Sequence, residues 1–134
     1  MVGSNPHHSI YKEKVMTIKE LIDKVKEEKP NSFTNVKLLE FVNEVEENVA
    51  EELRDDEFEP YLVVDDTELL VQAPYDDLYV YYLKAQIDYS NEEYPSYQLN
   101  AEQYNACFDS FADWVVRTGQ VTYRDIPSRF RNIF

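Results

Sequence analysis

The fold is decided by residues 67–118, which read TELLVQAPYDDLYVYYLKAQIDYSNEEYPSYQLNAEQYNACFDSFADWVVRT. This stretch contains most of the tyrosines and the only tryptophan. In its second half, apolar residues recur at alternating spacings of four and three, which places them on one stripe of a helix: Tyr97, Ala101, Tyr104, Phe108, Phe111 and Val115. The first half has the same kind of spacing at Leu78, Tyr82, Ala85 and Tyr89. Two such stripes across a short break predict a long antiparallel helical hairpin.

Two further helices are predicted before this hairpin. Thr17 and Glu20 have the spacing of a capping box, so the first helix should run from about Ile18 to Glu28. Thr34 is a second candidate cap. The helix after it has one apolar stripe opposite its glutamates, formed by Leu38, Val42, Val45, Val49 and Leu53.

The segment between the two helix pairs is predicted to be extended. Tyr61–Val64 and Leu69–Val71 are short apolar, β-branched runs separated by polar residues, a pattern typical of strands or a small β-hairpin. The third helix should start around Ala73–Asp77, and Gly119 should end the fourth. The predicted fold class is therefore mostly α: a small helical bundle built on a long antiparallel helical hairpin, with a short extended or β-hairpin segment and a C-terminal arm.

Three parts of the chain are predicted to have different roles. Residues 1–15 lack hydrophobic periodicity, so we expect a flexible N-terminal arm, partly of artificial origin, with Met16 as an alternative start. Residues 16–118 should form one helical domain. Residues 119–134 should form a C-terminal arm that is dispensable for folding, because they contain too few residues to build a core of their own.

Composition limits the function. The chain has 134 residues and a single cysteine, which fits one domain in a reducing compartment. No apolar run approaches the roughly 20 residues needed to span a bilayer, so no membrane association is expected. The formal net charge of −14 disfavours sequence-independent DNA binding by the whole body. Carboxylates are concentrated between Glu40 and Glu59, whereas the residues from Arg117 onwards carry an excess of arginine.

No catalytic, cofactor or metal site is predicted. Two glycines are too few for a phosphate-binding loop. The adjacent pair His7 and His8 does not complete a tetrahedral metal site, and the carboxylates around Asp65 lack the central glycine of a calcium loop. Cys107 is predicted to be a buried thiol within the fourth helix. The chain is therefore predicted not to be an enzyme.

The stretch that decides the fold also resembles a known family. Residues 67–79, TELLVQAPYDDLY, and residues 82–89, YLKAQIDY, look like the middle of small head-tail connector proteins (adaptor or head-completion proteins) of tailed bacteriophages and prophages. Residues 104–111, YNACFDSF, together with Trp114 resemble the second long helix of that family. The likeness covers about residues 16–118, and residues 1–15 depart from the family pattern.

The resemblance implies structural work in a virion. Connectors of this family form a homo-oligomeric ring beneath the portal, extend the DNA channel and present a docking surface for the next head-completion or tail protein. DNA passes through such a ring without specific binding. The expected location is the head-tail junction of the virion, after assembly in the cytoplasm of the host bacterium. The family implies no cofactor and no catalytic residue.

Two groups of residues are predicted to act in such an assembly. Part of the acidic run should border the channel or the adjoining subunit, and we select Glu46, Glu47, Glu51 and Glu52. The C-terminal arm should dock on the portal through aromatic and arginine side chains, a composition typical of interface hot spots: Tyr123, Arg124, Arg129, Phe130, Arg131 and Phe134. The alternative function is an acidic inhibitor that mimics DNA and blocks a host DNA-binding protein, although the basic arm argues against it.

Overall fold

The computed structural model describes residues 15–119, and these residues form four helices joined by loops. The helices are α1 (Ile18–Glu28), α2 (Asn35–Leu53), α3 (Asp77–Ser90) and α4 (Tyr94–Arg117). The prediction of a mostly α fold, a small helical bundle, is thereby confirmed. The predicted N-terminal arm up to residue 14 and the C-terminal arm from residue 120 lie outside the described residues.

Helices α1 and α2 begin where the local sequence provides a side-chain cap. The Oγ1 atom of Thr17 accepts a hydrogen bond from the backbone N–H of Glu20 at 3.2 Å, and the Glu20 carboxylate accepts one from the N–H of Thr17 at 3.2 Å. This capping box satisfies two backbone donors at the start of α1. Thr34 caps α2 with one such bond, its Oγ1 accepting from the N–H of Lys37 at 3.1 Å.

Helices α3 and α4 pack against each other as an antiparallel pair. The aromatic contacts between them pair Tyr82 with Tyr104 at a ring-centroid distance of 5.1 Å and Tyr89 with Tyr97 at 5.3 Å. Residue numbers therefore rise along one helix as they fall along the other, as expected for two helices joined by the short turn at residues 91–93.

The core lies between this pair and the two N-terminal helices. Leu78, Leu83 and Ile87 of α3 are fully buried, and Phe111 of α4 is 2% exposed. Helices α1 and α2 each bury one apolar face, and most of the stripe predicted for α2 lies on it. The buried residues of these two faces include Ile18, Leu21, Ile22, Val25, Leu38, Val42, Val45 and Val49.

A partly buried ion pair fastens the end of α1 to the turn between α3 and α4. Lys29 Nζ lies 2.6 Å from Oδ1 of the buried Asp88 and 3.3 Å from Oε1 of Glu93. The other carboxylate oxygen of Asp88 accepts hydrogen bonds from Ser96 at 2.7 Å and from Asn100 at 2.8 Å. One buried carboxylate therefore holds three elements of the bundle together.

The predicted β-hairpin is not present. Within residues 15–119 the backbone forms no strand, and its one isolated bridge joins Thr17 to Glu68. The two apolar runs do not pair with each other because other groups take their backbone hydrogen bonds. The Asn43 side chain accepts from the N–H of Tyr61 at 2.8 Å and donates to its carbonyl at 3.1 Å. The N–H of Leu69 donates to the carbonyl of Met16 at 3.1 Å.

Candidate interaction surfaces and a buried carboxylate

The most unusual polar feature of the described residues is the side chain of Glu46 in the middle of α2. It is fully buried, with 0% of its surface exposed. Its carboxylate accepts three hydrogen bonds: from the Tyr79 hydroxyl at 2.6 Å, from the Tyr61 hydroxyl at 2.5 Å and from the Leu70 N–H at 2.9 Å. The Tyr79 hydroxyl in turn accepts from the N–H of Val71 at 2.9 Å. Helix α2, helix α3 and the loop between them thus meet at one carboxylate.

The environment of Glu46 shifts the protonation equilibria of this cluster. Burial raises the pKa of the Glu46 carboxyl, and the hydrogen bonds from Tyr61, Tyr79 and Leu70 offset part of that effect. Burial and the neighbouring carboxylate also raise the pKa of both tyrosines, so their hydroxyls remain protonated donors. Because both hydroxyls stay protonated, neither tyrosine is activated as a base or nucleophile, and the three hydrogen bonds have a structural role. We call Glu46 with Tyr61, Tyr79 and the Leu70 N–H the clamp.

The clamp fixes the path of the loop between α2 and α3. Tyr61 is held through its hydroxyl by Glu46 and through its backbone by Asn43. The two residues that follow it point outwards: Leu62 is 90% exposed and Val63 is 60% exposed. Two aliphatic side chains on a loop held in this way have the character of a protein-docking surface. Covering them with a partner would remove apolar surface from water, which is favourable.

The four glutamates selected from the sequence do not lie on one surface. Glu47 and Glu51 are exposed, whereas Glu46 and Glu52 are buried inside this chain. The selection was therefore wrong in treating Glu46 and Glu52 as surface residues. Whether Glu47 and Glu51 border a channel or a neighbouring subunit stays a prediction.

The exposed carboxylates of α2 instead form a different row. Four glutamates spaced by four, three and four residues are exposed along this helix: Glu40, Glu44, Glu47 and Glu51. At 1.5 Å per residue their carboxylates recur about every 5 Å along the helix axis, and that of Glu40 is paired with Lys37 at 3.2 Å. We call this set the acidic row.

The burial of Glu46 could have been recognised from helical spacing. It follows Val42 by four residues and Leu39 by seven, and both are buried. Helical periodicity therefore places Glu46 on the buried face of α2. The pattern is hard to recognise because Glu44 and Glu47, on either side of Glu46 in the sequence, are exposed.

The tyrosines between residues 15 and 119 divide between the core and the surface. Tyr79 is fully buried, and Tyr82 is partly buried and donates its hydroxyl to Glu44 at 2.6 Å. Tyr89 and Tyr94 are exposed at the turn between α3 and α4, with ring centroids 5.9 Å apart. The aromatic residues at this turn have carboxylates beside them at Glu92 and Glu93, which disfavours a stacking platform for nucleic acid.

The described residues contain no cluster of three or more His, Cys, Asp or Glu side chains arranged to hold a metal ion. Cys107 is partly buried, and burial, together with the Asp77 carboxylate, raises the pKa of its thiol. That shift disfavours a thiolate nucleophile. Although burial alone would raise the pKa of Asp88, its contacts with Lys29, Ser96 and Asn100 lower it, so Asp88 is a fixed anion of the core.

No helix among residues 15–119 is both long and apolar enough to cross a membrane. The residues predicted to form the docking arm lie beyond the described residues: Tyr123, Arg124, Arg129, Phe130, Arg131 and Phe134.

Comparison with known proteins found no matching family model, no matching curated protein and no matching solved structure.

Proposed function

We propose that this protein is a structural virion component, a head-tail connector subunit that forms a ring beneath the portal of a tailed phage. In that role it extends the DNA channel and presents the docking surface for the next head-completion or tail protein. The identity of the assembly rests on the resemblance of residues 67–118 to the connector family. The general role, protein-protein assembly, is supported by the surface of the bundle.

The observation that carries the assembly role is the loop tip at Leu62 and Val63. Both side chains are exposed, yet the adjacent Tyr61 is fixed by Asn43 and Glu46. Because the loop is already ordered by these contacts, a partner that covers the tip gains apolar burial at little further cost in conformational entropy. This combination favours a contact surface over a solvent-exposed linker.

The acidic row supports a role beside DNA that does not involve binding it. Carboxylates repel the phosphates of passing DNA, and salt screens this repulsion over about 8–10 Å. Of the glutamates selected from the sequence, Glu47 and Glu51 belong to this row and are the ones we propose to line the channel or the adjoining subunit. The basic arm at residues 119–134 is proposed to dock on the portal.

The test is assembly with the portal protein encoded near this chain. The two proteins are co-expressed, purified together and measured by native mass spectrometry. A ring of this chain, alone or bound to the portal, is the expected result. The double substitution of Leu62 and Val63 by Asp should abolish the ring while leaving the melting temperature unchanged. Val36→Asp is the matched control, since Val36 is also an exposed aliphatic residue but lies in the first turn of α2.

A chain that remains monomeric and does not associate with the portal at any protein concentration would contradict the connector proposal. An assembly that forms equally well after Leu62 and Val63 are both replaced would contradict only the loop tip as its contact. A loss of assembly in Val36→Asp as well would show that any added charge disrupts it.

A second function, DNA mimicry, is favoured by the acidic row itself. Its charges, about 5 Å apart, have a spacing of the same order as the 3.4 Å per phosphate along one DNA strand. An inhibitor of this kind would form a tight complex with a nucleic-acid enzyme that duplex DNA competes away. Replacing Glu40, Glu44, Glu47 and Glu51 by Gln would then abolish that complex. The same substitutions in a connector would leave the ring intact and make it retain DNA at low salt.

A further inference from the structure

An apolar groove opens beside the C-terminal end of α4. It has a volume of about 420 Å³ and lies between the end of α2, the loop that leads into α3, and α4. Its lining includes Leu53, Val71, Ala73, Pro74, Tyr75 and Trp114. Within residues 15–119 no segment fills this space.

Aromatic side chains form one side of the groove. The ring centroid of Tyr75 lies 5.8 Å from that of Trp114 and 6.2 Å from that of Phe111. Phe111 is buried, whereas Tyr75 and Trp114 are only partly buried. Tryptophan and tyrosine that are half covered offer a large apolar surface to an incoming segment and are enriched where chains bind each other.

The chain leaves the described fold next to this groove. Helix α4 ends at Arg117, only three residues after Trp114, and Gly119 has a left-handed φ of 78°. Fifteen residues follow it in the sequence. An extended segment of that length reaches up to about 50 Å, which is far longer than the groove requires.

The composition of residues 120–134 matches the groove. They include six apolar side chains: Val121, Tyr123, Ile126, Phe130, Ile133 and Phe134. Three arginines accompany them against one carboxylate. Asp76 follows Tyr75 in the sequence, whereas Asp113, which precedes Trp114, is paired with Arg117 at 3.0 Å, and Arg54 follows Leu53. The match is therefore one of apolar side chains with an apolar groove.

We propose that this groove binds the C-terminal segment, residues 120–134, of the same chain. The same segment of a second copy has the same composition, but the tethered segment is present at an effective concentration on the order of millimolar and therefore occupies the groove first. The inference does not rest on the connector proposal. If the segment also docks on a portal, that docking empties the groove.

Trp114 is the only tryptophan of the chain and lines the groove, so its fluorescence reports whether the groove is occupied. The full-length protein is measured by fluorescence emission and by acrylamide quenching, without any partner. Tyr123→Ser combined with Phe130→Ser should shift the emission to the red and raise the quenching constant about twofold, as a covered indole becomes solvated. Asn132→Ser, in the same segment but without an apolar side chain, is the control and should change neither quantity.

Two outcomes overturn the inference. If emission and quenching are the same in the full-length protein and in the Tyr123/Phe130 variant, the groove does not hold this segment. If the difference between them disappears on about tenfold dilution, the segment comes from another copy, because an intramolecular contact does not depend on concentration. Neither outcome bears on portal binding, so failure of this inference and failure of the connector proposal are distinguishable.

Discussion

Replacing Glu46 is the sharpest test of how the bundle holds its long loop. The carboxylate accepts from two tyrosine hydroxyls and one backbone N–H, and the side chain has no exposure to water. In Glu46→Ala all three donors lose their acceptor. The Tyr61 hydroxyl belongs to a half-buried residue and can turn to water, but Tyr79 is fully buried. A buried donor without a partner costs roughly 1–3 kcal/mol.

The expected loss for Glu46→Ala is about 3–5 kcal/mol, from two poorly solvated donors and the cavity that the truncation leaves. Glu46→Gln should lose less, about 1–2 kcal/mol, because its carbonyl oxygen still accepts while its NH₂ group faces one hydroxyl that then has no acceptor. Glu47→Gln is the matched control, since Glu47 is the exposed neighbour on the same helix. It should change the free energy of unfolding by less than about 0.5 kcal/mol.

Two measurements check this prediction. Urea denaturation gives the free energy of unfolding of each variant. Hydrogen exchange gives the protection of two amides, that of Leu70, which donates to Glu46, and that of Val71, which donates to the Tyr79 hydroxyl. Both amides should exchange faster in Glu46→Ala than the global loss of stability requires, because the loop opens locally. An alanine variant as stable as the wild type, or one with unchanged protection at Leu70, would refute the clamp.

The pH dependence of the same variants has a definite sign. Burial raises the pKa of Glu46 above its ordinary value of 4.5, so the native protein binds this proton more tightly than the unfolded chain does. The stability that Glu46 contributes therefore falls as the pH rises from that ordinary value through the native pKa, and levels off above it. The stability difference between the wild type and Glu46→Gln should follow this fall.

Two further predictions concern the core and the ion pair. Phe111→Ala should cost roughly 3–5 kcal/mol in urea denaturation, because Phe111 is 2% exposed and packs on Tyr75 of the loop before α3 and on Trp114 of its own helix; an unchanged unfolding midpoint would contradict this packing. Asp88→Asn should cost about 2 kcal/mol at neutral pH, in the range of a charge-assisted hydrogen bond. The contacts with Lys29 lower the pKa of Asp88, so the stability it contributes is lost as the pH falls through that lowered pKa, and the cost of Asp88→Asn should shrink in acid. Glu93→Gln removes only the exposed partner of Lys29 and should cost less than about 1 kcal/mol.

The helices could be predicted from sequence because their signals are local. The capping box at Thr17 and Glu20 spans three residues, and the apolar stripes repeat within each helix. The loop could not be predicted, because its hydrogen bonds join distant residues. Asn43 and Tyr61 are 18 residues apart, Glu46 and Tyr79 are 33 apart, and Met16 and Gln72 are 56 apart. Strand propensity in Tyr61–Val64 was overridden by these contacts, since the backbone donor and acceptor of Tyr61 are both taken by Asn43.

The contacts made by residues 67–79 decide whether the resemblance in this stretch concerns the fold or the function. Its most distinctive part, residues 67–79, is mainly structural in this chain: Leu69 and Val71 are buried, and Tyr79 donates to Glu46. A likeness in this stretch therefore bears first on the fold, because a change there would disturb the bundle whatever the protein binds. The surfaces that we propose for partners lie elsewhere, at the exposed loop tip of Leu62 and Val63 and along the acidic row. The function is thus decided by substitutions at those surfaces, where the loss of a partner can be separated from the loss of the fold.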